Sequence, residues 1–139
     1  MSFPSPKDFY EKYREDSDGA QKTAHQIGIK LGSSYIQRLG LKEKNLESVA
    51  AVLNEFQREV QGDPNAKVIG DAVTMQCTGF CPIMRAALTL NISWEWLDTN
   101  LALPMIQGIA ETAMPGIVLR LTSAKSRGDS ACVYLFKVE

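Results

Sequence analysis

The hydrophobic period of this chain changes near residue 66, and that change limits what it can fold into. Ahead of it, Leu46, Val49, Leu53, Phe56 and Val60 recur at spacings of three and four, with Glu and Arg on the other side. That is the signature of an amphipathic helix. From Lys67 the period is two: Ile69, Val73, Met75 and Cys77 fall on one parity, as on the buried face of a single strand. A chain that spends its first half on helices and then turns to strands reads as α+β.

The remaining elements follow from local signals. Ser5, Pro6 and Asp8 open a helix that should run to about Glu15, with Asp18-Gly19 as its break. Ala24, Ile27, Leu31, Tyr35 and Leu39 share the face of a second helix. Gly28 and Gly32, one turn apart within it, weaken a helix unless a neighbouring helix or a ligand comes close, and close packing is the commoner reason. "GLK" at 40–42 ends this helix, and "QGDPN" at 61–65 ends the Leu46–Val60 one. Cys81-Pro82 should begin a short helix through about Leu90. Ser93 should cap a long helix from Trp94 with Leu97, Leu101, Met105 and Ile109 inward, which Pro104 kinks or splits. Ile117, Leu119 and Leu121, then Cys132, Tyr134, Phe136 and Val138, alternate as a hairpin around "KSRGDS". Largely buried positions should be Ile69, Val73, Met75, Leu119, Leu121, Val133 or its face-mates, and Phe136. The expected order is α-α-α-β-α-α-β-β: a block of helices packed on a small, mainly antiparallel sheet, with a C-terminal β-hairpin, in one domain over 1–139.

Composition removes several classes of function. The 139 residues are 45% apolar and carry a net charge of −1 with no basic stripe, which argues against nucleic acid. The start lacks the basic and apolar regions of a signal peptide, and no apolar run reaches membrane-span length, so no membrane partner is expected. Three cysteines form no disulfide framework, which points to a reducing, cytoplasmic setting.

Those cysteines carry most of the chemistry. Cys81, at a helix start opened by Pro82, faces unpaired N–H groups and the positive end of the dipole, which favours the thiolate. Cys77 lies one short turn before it, and Cys132 shares a strand face with Tyr134, Phe136 and Val138. Buried cysteine often only fills space, a reading that suits Cys132 alone better than the Cys77/Cys81 pair. As a metal site, Cys77, Cys81 and Cys132 would hold zinc or an iron–sulfur cluster, with Asp98 or the only histidine, His25, as a further donor. As a catalytic site, Cys81 would attack and Asp98 or His25 would handle protons. Phe80, Trp94, Leu97, Leu101 and Met105 are the candidate walls of an apolar pocket for a small apolar or aromatic molecule. No serine triad, P-loop, dinucleotide glycine motif or HExxH is present.

The C-terminal half, from about residue 65, resembles the superfamily that contains the 4-vinyl reductase domain, the methanogen output domain and the aminothiazoline carboxylate hydrolase-like proteins. The similar parts are Cys81-Pro82, the long helix ending near a proline, Arg120-Leu121-Thr122, Arg127-Gly128-Asp129, and Cys132 with Phe136. The resemblance implies an α+β small-molecule-binding fold related to nitric-oxide-sensing and Golgi-transport ligand domains, paired as a homodimer. It also implies a zinc site among cysteines near the final hairpin, which carries over to Cys132 first and then to Cys77 and Cys81. The chain departs from the pattern in two places. No Glu-x-x-Cys precedes the Gly-Asp, where "RLTSAK" stands, and Leu97 and Asp98 occupy the helix position where hydrolase-like members tend to carry a further cysteine. Two functions are therefore expected to compete: a small-molecule-binding or sensory domain with a cysteine-lined metal site, and a small cysteine-dependent hydrolase acting on a C–N bond of a heterocycle or amide.

Overall fold

A computed structural model of the chain describes residues 4–60, 62–77, 87–123, 128–129 and 132–138, with Cys77 as backbone only. Helices α1 (Pro6–Tyr13), α2 (Ser17–Leu39) and α3 (Leu46–Glu59) lead into strands β1 (Lys67–Ile69) and β2 (Ala72–Cys77). A turn of helix at 87–90 precedes α4 (Trp94–Leu97), a π-helical turn (Asp98–Ala102), α5 (Leu103–Ala113), and strands β3 (Ile117–Ser123) and β4 (Cys132–Val138). The strands form one antiparallel sheet in the order β1-β2-β4-β3, and β3 and β4 are neighbours in it, the expected C-terminal hairpin. The α+β expectation holds.

Four helix starts have a side chain accepting from an otherwise orphaned N–H: Ser5 from Asp8, Asp16 from Gly19, Asn45 from Ser48 and Ser93 from Trp96. This corrects the expected break at Asp18-Gly19. The chain turns earlier, at 14–16, because Asp16 rather than Asp18 supplies the cap, and Gly19 sits inside the first turn of α2.

The two glycines of α2 are explained by α5. A Cβ on Gly28 would lie 2.0 Å from the Met105 carbonyl oxygen, and one on Gly32 would lie 2.3 Å from Thr112 Oγ1. From the other side, a Cβ on Gly108 would lie 2.4 Å from the His25 carbonyl oxygen. The helices meet backbone to backbone, so three residues without a Cβ are a condition of the crossing. Beside it, α3 adds Val49, Val52, Leu53 and Phe56 to the core as its period required, with Leu46 and Val60 half-buried at its ends.

Three further expectations change. Ile69 does not share a face with Val73 and Met75: it is 53% exposed, because Gly70-Asp71 turns the chain and restarts the parity. Val68 pairs with Val73 in its place, so the segment is a hairpin rather than one strand. A positive φ of 61° at Gly70, the first residue of the two-residue turn, suits this tight connection. Pro104 neither breaks the helix nor leaves it regular. Its missing N–H and its clash with the carbonyl four residues back are met by one widened turn, in which Leu103 N–H donates to the Asp98 carbonyl. Leu119 and Leu121 are half-buried rather than buried, since β3 is an edge strand, and Cys132, Tyr134 and Phe136 are the buried face of β4 while Val133 is half-buried.

Side-chain amides replace missing neighbours at both edges of the sheet. Gln107 donates to the Ile117 carbonyl and accepts from Leu119 N–H, both at 2.7 Å, as a strand beside β3 would. Asn65 does the same for Gln76 at 2.7 and 2.8 Å, where β1 has not yet begun, and Asn54 does so for Ala66 at 3.1 and 2.8 Å. Each pair satisfies backbone groups that an edge would leave open.

Candidate functional site

The topology brings two of the three cysteines into register. Because β4 lies between β2 and β3, Cys77 is the cross-strand partner of Cys132. The edge amides reveal which kind of pair this is. Gln76 turns its N–H and C=O away from β4 to Asn65, so those of its neighbour Cys77 face β4. From the other edge, Leu119 turns away from β4 to Gln107, so its partner Phe136, and on the same alternation Tyr134 and Cys132, faces β2. Cys77 and Cys132 therefore stand at a hydrogen-bonded position, where Cα atoms lie about 5.5 Å apart. Cβ atoms at such positions fall near the upper end of about 4.5–5.5 Å, wider than the roughly 3.8 Å a disulfide prefers. Two sulfurs on one tetrahedral ion, each about 2.3 Å from it, need to be only about 3.8 Å apart. A Cα spacing of about 5.5 Å is itself ordinary for a disulfide, so the backbone register suits either a direct bond or a shared ion.

Cys132 is buried, at 3% exposure, in the hydrophobic core that runs through the whole domain, to which Met75, Ile92, Leu97, Leu101 and Tyr134 also belong. Met105 belongs to the same core and Trp94 packs half-buried against it. Asp98 is 6% exposed at the first position of the widened turn. Asn100, two residues on and 4% exposed, donates to the Trp96 carbonyl at 3.1 Å and accepts from Gln21 of α2 at 3.0 Å. The widening at Pro104 thus coincides with two buried polar side chains packed toward α2.

Of the residues singled out from the sequence, Cys77 and Cys132 are cross-strand partners, and Leu97, Leu101 and Met105 are buried in the general hydrophobic core, with Trp94 packed against it. Phe80 and Cys81, with the helix start expected at Pro82, lie outside the described residues. Among the described residues, no group of three or more His, Cys, Asp or Glu converges as a metal site would require. His25 is placed elsewhere. Its Nε2 meets Glu111 Oε2 at 2.7 Å, and Gln107 holds the other oxygen of Glu111 at 2.8 Å while also clamping Ile117 and Leu119. That network ends opposite Phe136, four residues along β4 from Cys132, or about 13 Å of strand.

A second polar network joins α2 to α3. Buried Tyr35 donates to Glu59 Oε2 at 2.8 Å, and Arg38 donates to Glu59 Oε1 at 2.8 Å. Burial, then the bond to Glu59, raises the Tyr35 hydroxyl well above its usual range. Burial pushes Glu59 upward, but the bonds from Arg38 and Tyr35 outweigh it and hold the carboxyl below its ordinary value.

Sequence reasoning missed a shallow groove of about 330 Å³ lined by Asn65, Lys67, Ile69, Thr74, Gln76 and Val133. The Gly70-Asp71 dipeptide was the available signal, since recognising it as a hairpin turn puts Lys67 and Ile69 on the outer face. No family model matches the chain, and no curated protein matches it. Among the described residues, no helix is long and apolar enough to cross a membrane.

Proposed function

We propose that this chain is a small-molecule-binding domain of the cytoplasm, acting as a homodimer, whose ligand meets the protein at the cysteine end of the sheet. The register of Cys77 with Cys132 carries the reading: two thiols from distant parts of the sequence share one position beside an apolar cluster. Cys77, Cys81 and Cys132 would hold a zinc ion, which supplies Lewis acidity and, with three protein ligands, keeps one position for an incoming donor. The apolar cluster of Leu97, Leu101 and Met105, with Trp94 at its rim and Phe80 beside Cys81, supplies the wall for an apolar or aromatic body.

The test is differential alkylation of protein purified without oxygen, read residue by residue by mass spectrometry. Cys77, Cys81 and Cys132 should be protected together and released together by a chelator. Protection of Cys132 alone, unchanged by the chelator, would reduce it to a packing residue. The buried Asp98 favours a second reading, in which Cys81 is a nucleophile and Asp98 its proton partner in hydrolysis of a small C–N bond. That reading requires Cys81 to react rapidly well below the ordinary thiol range with no metal present.

A further inference from the structure

Cys77 is the last residue of β2 and Cys132 the first of β4, so the pair forms the final rung of the β2–β4 ladder. The other rungs run from Gln76 with Val133 to Ala72 with Lys137. Cys77 has the strand parity of Val73 and Met75, which places it on the core side of the sheet, where Cys132 is buried. Two distances decide what such a rung can do. The Cα spacing of about 5.5 Å at a hydrogen-bonded pair lies within the range a disulfide spans. The Cβ spacing, near the upper end of about 4.5–5.5 Å, exceeds the roughly 3.8 Å of a relaxed disulfide. A bond made here must draw the strand ends together, and it carries strain. Strained disulfides are the readily reduced ones, suited to regulation more than to permanent bracing. A terminal rung absorbs that movement with the remaining rungs left in place.

We propose that Cys77 and Cys132 are a reversible redox switch, in which a peroxide joins them as a disulfide and glutathione parts them again. The switch regulates the cysteine site, and its effect on zinc rests on the reading of that site given above. One thiolate attacks a peroxide oxygen and breaks the O–O bond, leaving a sulfenic acid and hydroxide. The other thiolate attacks that sulfur, forms the S–S bond and expels a second hydroxide. Two protons from solvent turn both hydroxides into water. Two thiolates, one hydrogen peroxide and two protons thus give one disulfide and two waters, with the sulfurs oxidised and the peroxide reduced. Two glutathione thiols reverse the bond and leave as oxidised glutathione. Because the thiolate is the form that binds metal, the disulfide removes two of the three cysteine ligands and the zinc ion leaves.

The test treats the full chain, both zinc-loaded and stripped by a chelator, with one equivalent of hydrogen peroxide. Trypsin leaves Cys77 and Cys81 on the peptide 68–85 and Cys132 on the peptide 128–137, so the expected disulfide is read as those two peptides joined. The joined pair should form within a monomer, persist in the Cys81→Ser variant and be absent from Cys132→Ser. Millimolar glutathione should restore both thiols. Zinc held by the loaded chain should fall at least about tenfold on oxidation and return on reduction. A reduced chain that binds no zinc yet forms the reversible joined pair would support the switch and overturn the metal site. A zinc-loaded chain whose oxidation stays within 68–85 would overturn the switch and leave the metal site standing. So would joining only between separate chains, or a joined pair that glutathione leaves intact.

Discussion

The two ends of the sheet are built differently. At one end, Gln107 clamps the edge of β3, Glu111 is held by Gln107, and His25 is held by Glu111, so a chain of hydrogen bonds runs from the surface of α2 to the backbone of β3. At the other, the register sets Cys77 against Cys132. The first end ties polar groups down. The second gathers the residue types that bind metals or attack carbon. The contrast separates the polar network of the scaffold from the proposed cysteine site, and it places the His25 network, where it meets the strands, about 13 Å of strand away from Cys132.

Substitutions at the scaffold should be the most damaging. Gly28→Ala sets a methyl carbon against the Met105 carbonyl, so the α2–α5 crossing must open. We expect a loss of about 3 kcal/mol or more, at the top of the overpacking range, by chemical denaturation. Leu53→Ala, at 0% exposure, should cost about 2–5 kcal/mol. A cost well below a kilocalorie in either variant would show that the surrounding core is loose and would erase the contrast.

Gln107→Ala sharpens the comparison at intermediate cost. It leaves the Ile117 carbonyl and Leu119 N–H without the side-chain partner that Gln107 supplies, for a loss of about 1–3 kcal/mol. Hydrogen exchange should accelerate at Leu119 while the amides near Cys132 keep their rates. Equal acceleration at both ends would mean that the sheet opens as a unit.

The smallest effect concerns pH. Glu59 has a lowered pKa in the folded chain, so its contribution is present above the ordinary carboxylate pKa and is lost as pH falls through the folded value. Tyr35 runs the opposite way. Its raised pKa gives a contribution present below the ordinary tyrosine value near 10 and lost as pH rises above it. Glu59→Gln should flatten the acid limb of stability against pH, and an unchanged acid limb would remove Glu59 as its source.

How much was legible in the sequence follows from how local each signal is. The helices and the Leu46–Val60 stripe could be read because cap and period lie within a few residues of one another. The glycines of α2 announced a close approach but not the partner, since Gly108 gives no local sign of facing Gly28. The Cys77–Cys132 pairing was hidden for a topological reason. A strand order of β1-β2-β4-β3 places the last strand against β2, and nothing along the chain states whether β3 or β4 takes that place. Ile69 was misassigned because a continuous period of two was read through a Gly-Asp turn that inverts it.

We propose that Cys77 and Cys132 serve one soft-metal site at their end of the sheet. Elemental analysis with a visible spectrum, on protein purified without oxygen, tests it directly, using the unaltered chain beside Cys77→Ser and Cys132→Ser. About one zinc ion per unaltered chain with no visible absorption is expected, and its loss from each variant while folding is retained. A metal-free chain with all three thiols open to alkylation, or zinc kept by both variants, would contradict it.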